Sequence, residues 1–259
     1  MLEELDNQKG FAKLLTIMNQ LRAHCPWDKK QTIESLRHLT LEETYELSDA
    51  IINKDWDELK KELGDLLLHI VFYSKIASEK AKFDIFDVIE QLCEKLIFRH
   101  PHIYSDLEVE DVNQVKENWE KLKLKEGEKS VFQGVPSSMP ALIKAIRIQE
   151  KASGVGFDWE NSSDVKAKVE EELKEFLEAK ESCDKVQMEQ EFGDLMFSLI
   201  NYSRFLQINP EDALEKTNRK FIKRFQYIED KARESNHSIV DLTLEQMEAY
   251  WQKAKEELY

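Results

Sequence analysis

The chain has 259 residues and carries 52 Asp or Glu against 37 Lys or Arg, a net charge of −15 with histidine neutral. So acidic a protein excludes nucleic-acid backbones and anionic lipid as default partners, because recognising phosphate arrays needs cationic surface. A phosphorylated small molecule remains compatible, provided that local Lys, Arg or a metal reverses the field at one site.

With 41% hydrophobic and 34% charged residues the chain is globular, and its length suits one or two domains. The 7 Gly and 5 Pro are too few for a turn-rich β-sandwich or barrel. No apolar run approaches the ~18 residues of a membrane span. Cys25, Cys93 and Cys183 are odd in number and lack metal-like spacing. With no signal-peptide pattern, they predict reduced thiols in a cytoplasmic protein.

In chain order, helix starts fall at Thr32, Asp84, Asp111, Ser138, Ser163, Pro210 and Thr243. Between the first two, Leu59, Leu63, Leu66, Ile70, Tyr73 and Ala77 form the apolar stripe of an amphipathic helix. A stripe 129 residues later repeats it: Met188, Phe192, Leu195, Leu199, Tyr202 and Leu206. The text repeats as well, with "ELGDLLLHIVFYSK" from Glu62 and "EFGDLMFSLINYSR" from Glu191. Upstream, Leu41–Leu47 pairs with Glu170–Phe176. Downstream, Asp87–Arg99 pairs with Asp212–Arg224, and Trp119–Lys123 with Trp251–Lys255.

This is a tandem duplication. Strand-like alternation is absent, so the fold class is all-α, with four or five helices in each half. The expected domains are 1–125 and 139–259, joined by the Gly- and Pro-bearing linker 126–138.

The acids hold their spacing better than the apolar residues do. The first half has Glu42, Glu43, Glu46, Glu62 and Asp65; the second has Glu171, Glu172, Glu175, Glu191 and Asp194. The third-to-fourth step is 16 residues in both, and first to last is 23. Residues three apart share a helix face, and the short connection around Asn53–Asp57 makes the two helices antiparallel neighbours. Four carboxylates then converge from the two helices, and they repel unless a cation intervenes. All-oxygen ligands favour Mg²⁺, with Mn²⁺ or Ca²⁺ behind it. Gly64 and Gly193, each inside a helix, predict a close crossing or a bound ligand there.

Trp119 and Trp251 are open between packing and stacking on a ligand. His100 and His102 are candidate metal ligands, although Pro101 breaks any helical face. Tyr73, Tyr202, Ser74 and Ser203 read as core.

E-E-x-x-E followed by E-x-x-D resembles the MazG-like all-α nucleoside triphosphate pyrophosphohydrolases. "CPWDKKQT" (Cys25–Thr32), "TLEETYEL" (Thr40–Leu47), "RHPHIY" (Arg99–Tyr104) and "PALIKAIRIQEKASGVGFDW" (Pro140–Trp159) are similar to tandem-domain members of that family. The resemblance implies a MazG-like bundle in each half. It also implies Mg²⁺-dependent hydrolysis of nucleoside triphosphates to monophosphate and pyrophosphate, in nucleotide-pool house-cleaning or regulation, by a homodimer.

By matching position the implied metal ligands are Glu172, Glu175, Glu191 and Asp194, with counterparts Glu43, Glu46, Glu62 and Asp65. Glu171 joins the catalytic set, and like Glu42 it orients ligands or water. For the phosphates the second half offers Asn218, Lys220 and Arg224, with Lys255 after Trp251. The first half has Cys93, Lys95 and Arg99 at the first three of these positions. A thiol cannot replace an amide's donor and acceptor, so the main catalytic site belongs to the second half. Two other classes compete: a di-iron carboxylate bundle, which needs Glu-x-x-His twice, and a non-catalytic helical interaction module.

Overall fold

Side-chain caps start the helices, and they repeat with the text. Thr32, Asp55 and Asp84 accept hydrogen bonds from backbone N–H groups that open three helices of the first half. Asn161, Asp184 and Asn209 do the same in the second half. Each satisfies donors that a helix start leaves bare.

A computed structural model describes residues 2–104 and 130–258, with no side-chain description for 2–9. The chain divides into two compact units, Met1–Glu108 and Val109–Tyr259. In the first unit α1 spans Leu2–His24, α2 Ile33–Asn53, α3 Trp56–Glu79 and α4 Ile85–Arg99, followed by a single turn at Pro101–Tyr104. In the second, α5 spans Ala141–Ser153, α6 Ser162–Ser182, α7 Lys185–Phe205, α8 Pro210–Glu234 and α9 Leu244–Glu257. No strand occurs among the described residues, and no helix there is long and apolar enough to cross a membrane. The fold is all-α, in two tandem helical repeats.

The central hairpins reverse in two residues each. Lys54 takes left-handed backbone (φ 56°) after α2, and Asp55 then caps α3. Cys183 (φ 57°) and Asp184 do the same between α6 and α7. So short a connection forces antiparallel packing of α2 on α3 and of α6 on α7. In the first unit α1 and α4 also pack on α3, around Met18, Leu36, Val71, Phe72, Ile76 and Ile85. In the second α5 packs on α7, and α8 joins α9 around Ile228, Ala232 and Leu242.

Three expectations need correction. The apolar stripe of α3 is covered only toward its C-terminal end: Ala77 is buried and Tyr73 packs on the core, but Leu63 and Ile70 are about half exposed, while Glu62, His69, Phe72 and Ile76 off the stripe are buried. In α7, Phe192 and Leu199 are likewise exposed. A carboxylate occupies the covered side of each hairpin, so apolar periodicity there marks a bare face. Ser163 lies within the first turn of α6, capped by Asn161, and α5 begins after Pro140 rather than at Ser138, whereas Pro210 opens α8 as expected, behind the Asn209 cap. Gly64 and Gly193 do not mark a close helix crossing within a unit, since a Cβ at either would meet nothing within 4 Å.

Thr32, Asp84 and Thr243 cap as expected. Asp111 and Trp119–Lys123 lie outside the described residues, as does the start of the linker 126–138; its remainder, 130–138, contains turns and no helix. Because both interior glycines face open space, Gly64→Ala and Gly193→Ala should each stabilise the chain by about 1 kcal/mol through helix propensity. Urea unfolding checks this, and a loss of stability would reveal a contact that the single chain does not show.

Candidate metal centres

Each hairpin gathers acids because helix periodicity and the two-residue reversal agree. Glu43 and Glu46 lie one turn apart on α2, and α3 returns with Glu62. One ligand oxygen from each of the three lies within 4.8 Å of the others. Glu172 and Glu175 on α6 and Glu191 on α7 make the same triad in the second unit. Asp65 and Asp194, the fourth acids of the sequence pattern, stand outside these triads. Asp65 is still close enough for its charge to act on Glu43 and His69.

The charges respond to their crowding. Burial first, then the close Glu62 carboxylate and the charges of Asp65 and Glu46, raise the Glu43 carboxyl above its ordinary range. Desolvation and the charges of Glu172, Glu191 and Glu171 raise Glu175. Glu62 moves the other way, lowered chiefly by its bond from Lys61. Its side chain is fully buried and its Oε2 has no hydrogen-bond partner. A fully buried carboxylate with an unpartnered oxygen, in a triad of carboxylates, fits a hard divalent cation, which supplies the missing positive charge. Neither triad contains a histidine, which disfavours the di-iron alternative. His69 is buried against Tyr73, and burial depresses its imidazole.

Two lysines that the sequence reading passed over touch the triads. Lys61 Nζ donates to Glu62 Oε1 at 2.9 Å, and Lys168 Nζ lies 2.8 Å from Glu172 Oε1. Lys168 also donates to Glu171 at 3.0 Å. The signal was present as Lys168 one turn before Glu172 and Lys61 beside Glu62, but in so charged a chain such pairs are common.

The proposed phosphate group assembles only in part. The Arg224 guanidinium lies 5.6 Å from the Trp251 ring centroid, and Phe221 packs 5.1 Å from the same ring. Trp251 therefore packs and also offers a face beside a cation. Lys220 and Arg224 share one side of α8, whereas Asn218 is rotated roughly 200° from Lys220 and donates to Glu215 at 3.4 Å. Lys255 donates to Gln252 at 3.2 Å. All five stand on α8 and α9, while the triad stands on α6 and α7. His100 and His102 have ring centroids 5.6 Å apart, with His100 Nδ1 bonded to the Leu96 carbonyl, and neither belongs to a triad.

A family model described as the MazG nucleotide pyrophosphohydrolase domain matches twice, over residues 31–104 and 160–228. The chain belongs to the MazG family. Each MazG match contains one helix hairpin and its acid triad, while Trp251 and Lys255 lie beyond the second. The chain is 47% identical over 250 residues to the nucleoside triphosphate pyrophosphohydrolase/pyrophosphatase MazG of Thermotoga maritima, covering 95% of each. It is 41% identical over 252 residues to the nucleoside triphosphate pyrophosphohydrolase of Escherichia coli K12, covering 94% of this chain and 96% of that one. It is also 45% identical to the uncharacterized protein YabN of Bacillus subtilis, covering 95% of this chain and 52% of YabN.

The raised Glu43 carboxyl gives a signed pH dependence. A group whose folded pKa lies above its unfolded value adds stability at low pH and loses it as pH rises through the folded pKa. In chelator, Glu43→Gln should therefore unfold at higher urea than the wild type at pH 7.5, with the difference shrinking as pH falls toward about 4.5, the unfolded glutamate range. A difference that grows on acidification would contradict the crowding of Glu43.

Proposed function

We propose that this MazG-family chain hydrolyses nucleoside triphosphates between the α- and β-phosphates, releasing monophosphate and pyrophosphate, with Mg²⁺ or Mn²⁺ held by the acid triads. The observation that carries this reading is the triad built twice, with three carboxylates from two helices inside 4.8 Å. The names of the Thermotoga and Escherichia relatives support the reaction. A triphosphate bears about four negative charges, so it approaches such acids only through bound cations. When bound, the metal polarises the phosphoryl group under attack, lowers the pKa of a bound water and screens the leaving pyrophosphate.

The protein supplies the rest. Glu172, Glu175 and Glu191 hold the ion, Asp194 and Glu171 flank them, and a carboxylate left off the metal accepts the proton of the attacking water. Lys220, Arg224 and Lys255 take the outer phosphates, and Trp251 offers a ring for stacking. Asn218, round α8 from Lys220, meets the substrate from outside that group; its counterpart Cys93, exposed on α4, lacks the amide, so the second half is the main site in this reading. Removing intact pyrophosphate from unwanted triphosphates suits cytoplasmic house-cleaning of the nucleotide pool.

The active form is a homodimer in this reading. Leu173 and Leu177 on α6, and Phe192, Met196 and Leu199 on α7, leave an apolar stripe bare on the hairpin that carries the triad. Stripes of that kind are normally covered by another subunit. Light scattering should give twice the chain mass, and Leu177→Glu with Leu199→Glu should give the monomer with unchanged helical circular dichroism. A wild-type monomer would remove the dimer from the proposal.

Activity supplies the main test. Chelation should abolish pyrophosphate release and Mg²⁺ should restore it. Glu172→Gln should lower turnover by roughly 10²–10³-fold, the usual loss when one strong electrostatic contact at the reacting centre is removed, and Glu43→Gln by much less. Heavy-oxygen water should label the monophosphate; label confined to pyrophosphate would place the attack at the β-phosphorus. Full turnover without metal would overturn the mechanism.

A further inference from the structure

The repeat preserves the acids but not the cations that face them. In the first unit Lys61 reaches Glu62 from the neighbouring position on α3 and also donates to Glu58 at 2.6 Å. In the second unit Lys168 reaches Glu172 from one turn earlier on α6. The two triads are therefore neutralised from opposite arms of the hairpin. Neither lysine has a counterpart, since Gln190 stands at the position of Lys61, Leu39 at that of Lys168 and Gln187 at that of Glu58.

A second observation shows what Lys61 does to the first triad. Glu62 is fully buried, with Oε1 bonded to Lys61 and Oε2 without a partner among its neighbours. The carboxylate thus has a resident ammonium on Oε1, while one of its oxygens lies within 4.8 Å of oxygens of Glu43 and Glu46. We propose that Lys61 is a built-in counter-cation that weakens divalent-ion binding at the first triad. This rests on the metal-binding reading of the triads given above. Affinity for hard divalent ions follows the net charge of the ligand set, and Lys61 cancels one of its three negative charges. The second triad carries its lysine on Glu172, whose side chain is slightly open, and leaves the α7 arm, Glu191, to the ion.

The test isolates the first triad in a Glu172→Gln, Glu191→Gln background and counts bound Mn²⁺ by the spin-resonance signal of the free ion. Lys61→Gln installs the residue that the second half already uses, keeps a hydrogen-bond donor and removes only the charge. Lys61→Arg keeps the charge. Lys61→Gln should bind Mn²⁺ roughly tenfold more tightly than the background, the size of a repulsion between a unit charge and a divalent ion under near-aqueous screening. Lys61→Arg should match the background.

Unchanged or weaker binding by Lys61→Gln overturns the proposal alone, and so does equal tightening by both substitutions, which would make geometry rather than charge the cause. Absence of Mn²⁺ binding in every variant and in the wild type overturns the metal reading, and this proposal with it. Lys61 is more than half exposed, so neither substitution disturbs the core, and circular dichroism confirms the fold in each sample.

Discussion

Three carboxylates held within 4.8 Å of one another are the constraint on which the rest of each unit depends. Like charges that close raise one another's pKa and oppose folding, so the surrounding structure must hold them there. It does so with a helix hairpin reversed in two residues. Left-handed backbone at Lys54 and at Cys183, followed by a capping aspartate, closes both hairpins in the same way. Left-handed backbone at a residue with a Cβ costs roughly 1–2 kcal/mol. The chain accepts that cost twice at equivalent positions, because a longer loop would let the facing acids drift apart.

The same constraint explains where the apolar surface lies. Once Glu62 and His69 take the covered side of α3, the leucines and isoleucine one step round the helix cannot also face inward. They remain bare on the single chain, as do Phe192 and Leu199 on α7 and much of α4. A helix whose buried stripe carries acid and whose exposed stripe carries Leu and Phe is poorly suited to life alone in water.

The two units share geometry but differ in the charges placed around it. Glu175 is crowded by three acids and relieved by Lys168, whereas Glu43 is crowded by Asp65, Glu46 and Glu62, and Lys61 acts on Glu62. Duplication followed by divergence at Lys61, Glu58, Lys168 and Asn218 leaves two sites of one design with unequal fields.

The sequence by itself determined the helical class, the duplication, the five-acid pattern and the family, because those rest on spacing along one chain, and helix periodicity turns spacing into faces. Thr32, Asp84 and Thr243 were legible as caps for the same reason: a cap acts within three residues of itself. The connection around Asn53–Asp57 was legible, but Asp55 and Asp184 were not as caps, because in so acidic a chain one more aspartate does not stand out. Tertiary structure alone decided which face of α3 is buried, that Asp65 and Asp194 stand outside the triads, and that Asn218 turns away from Lys220 and Arg224. Those outcomes depend on which helix packs against which, and no periodicity within one segment carries that information. Lys61 and Lys168 belong to the same class, since a lysine beside an acid is ordinary in this chain until the fold buries the acid and leaves the lysine as its nearest cation.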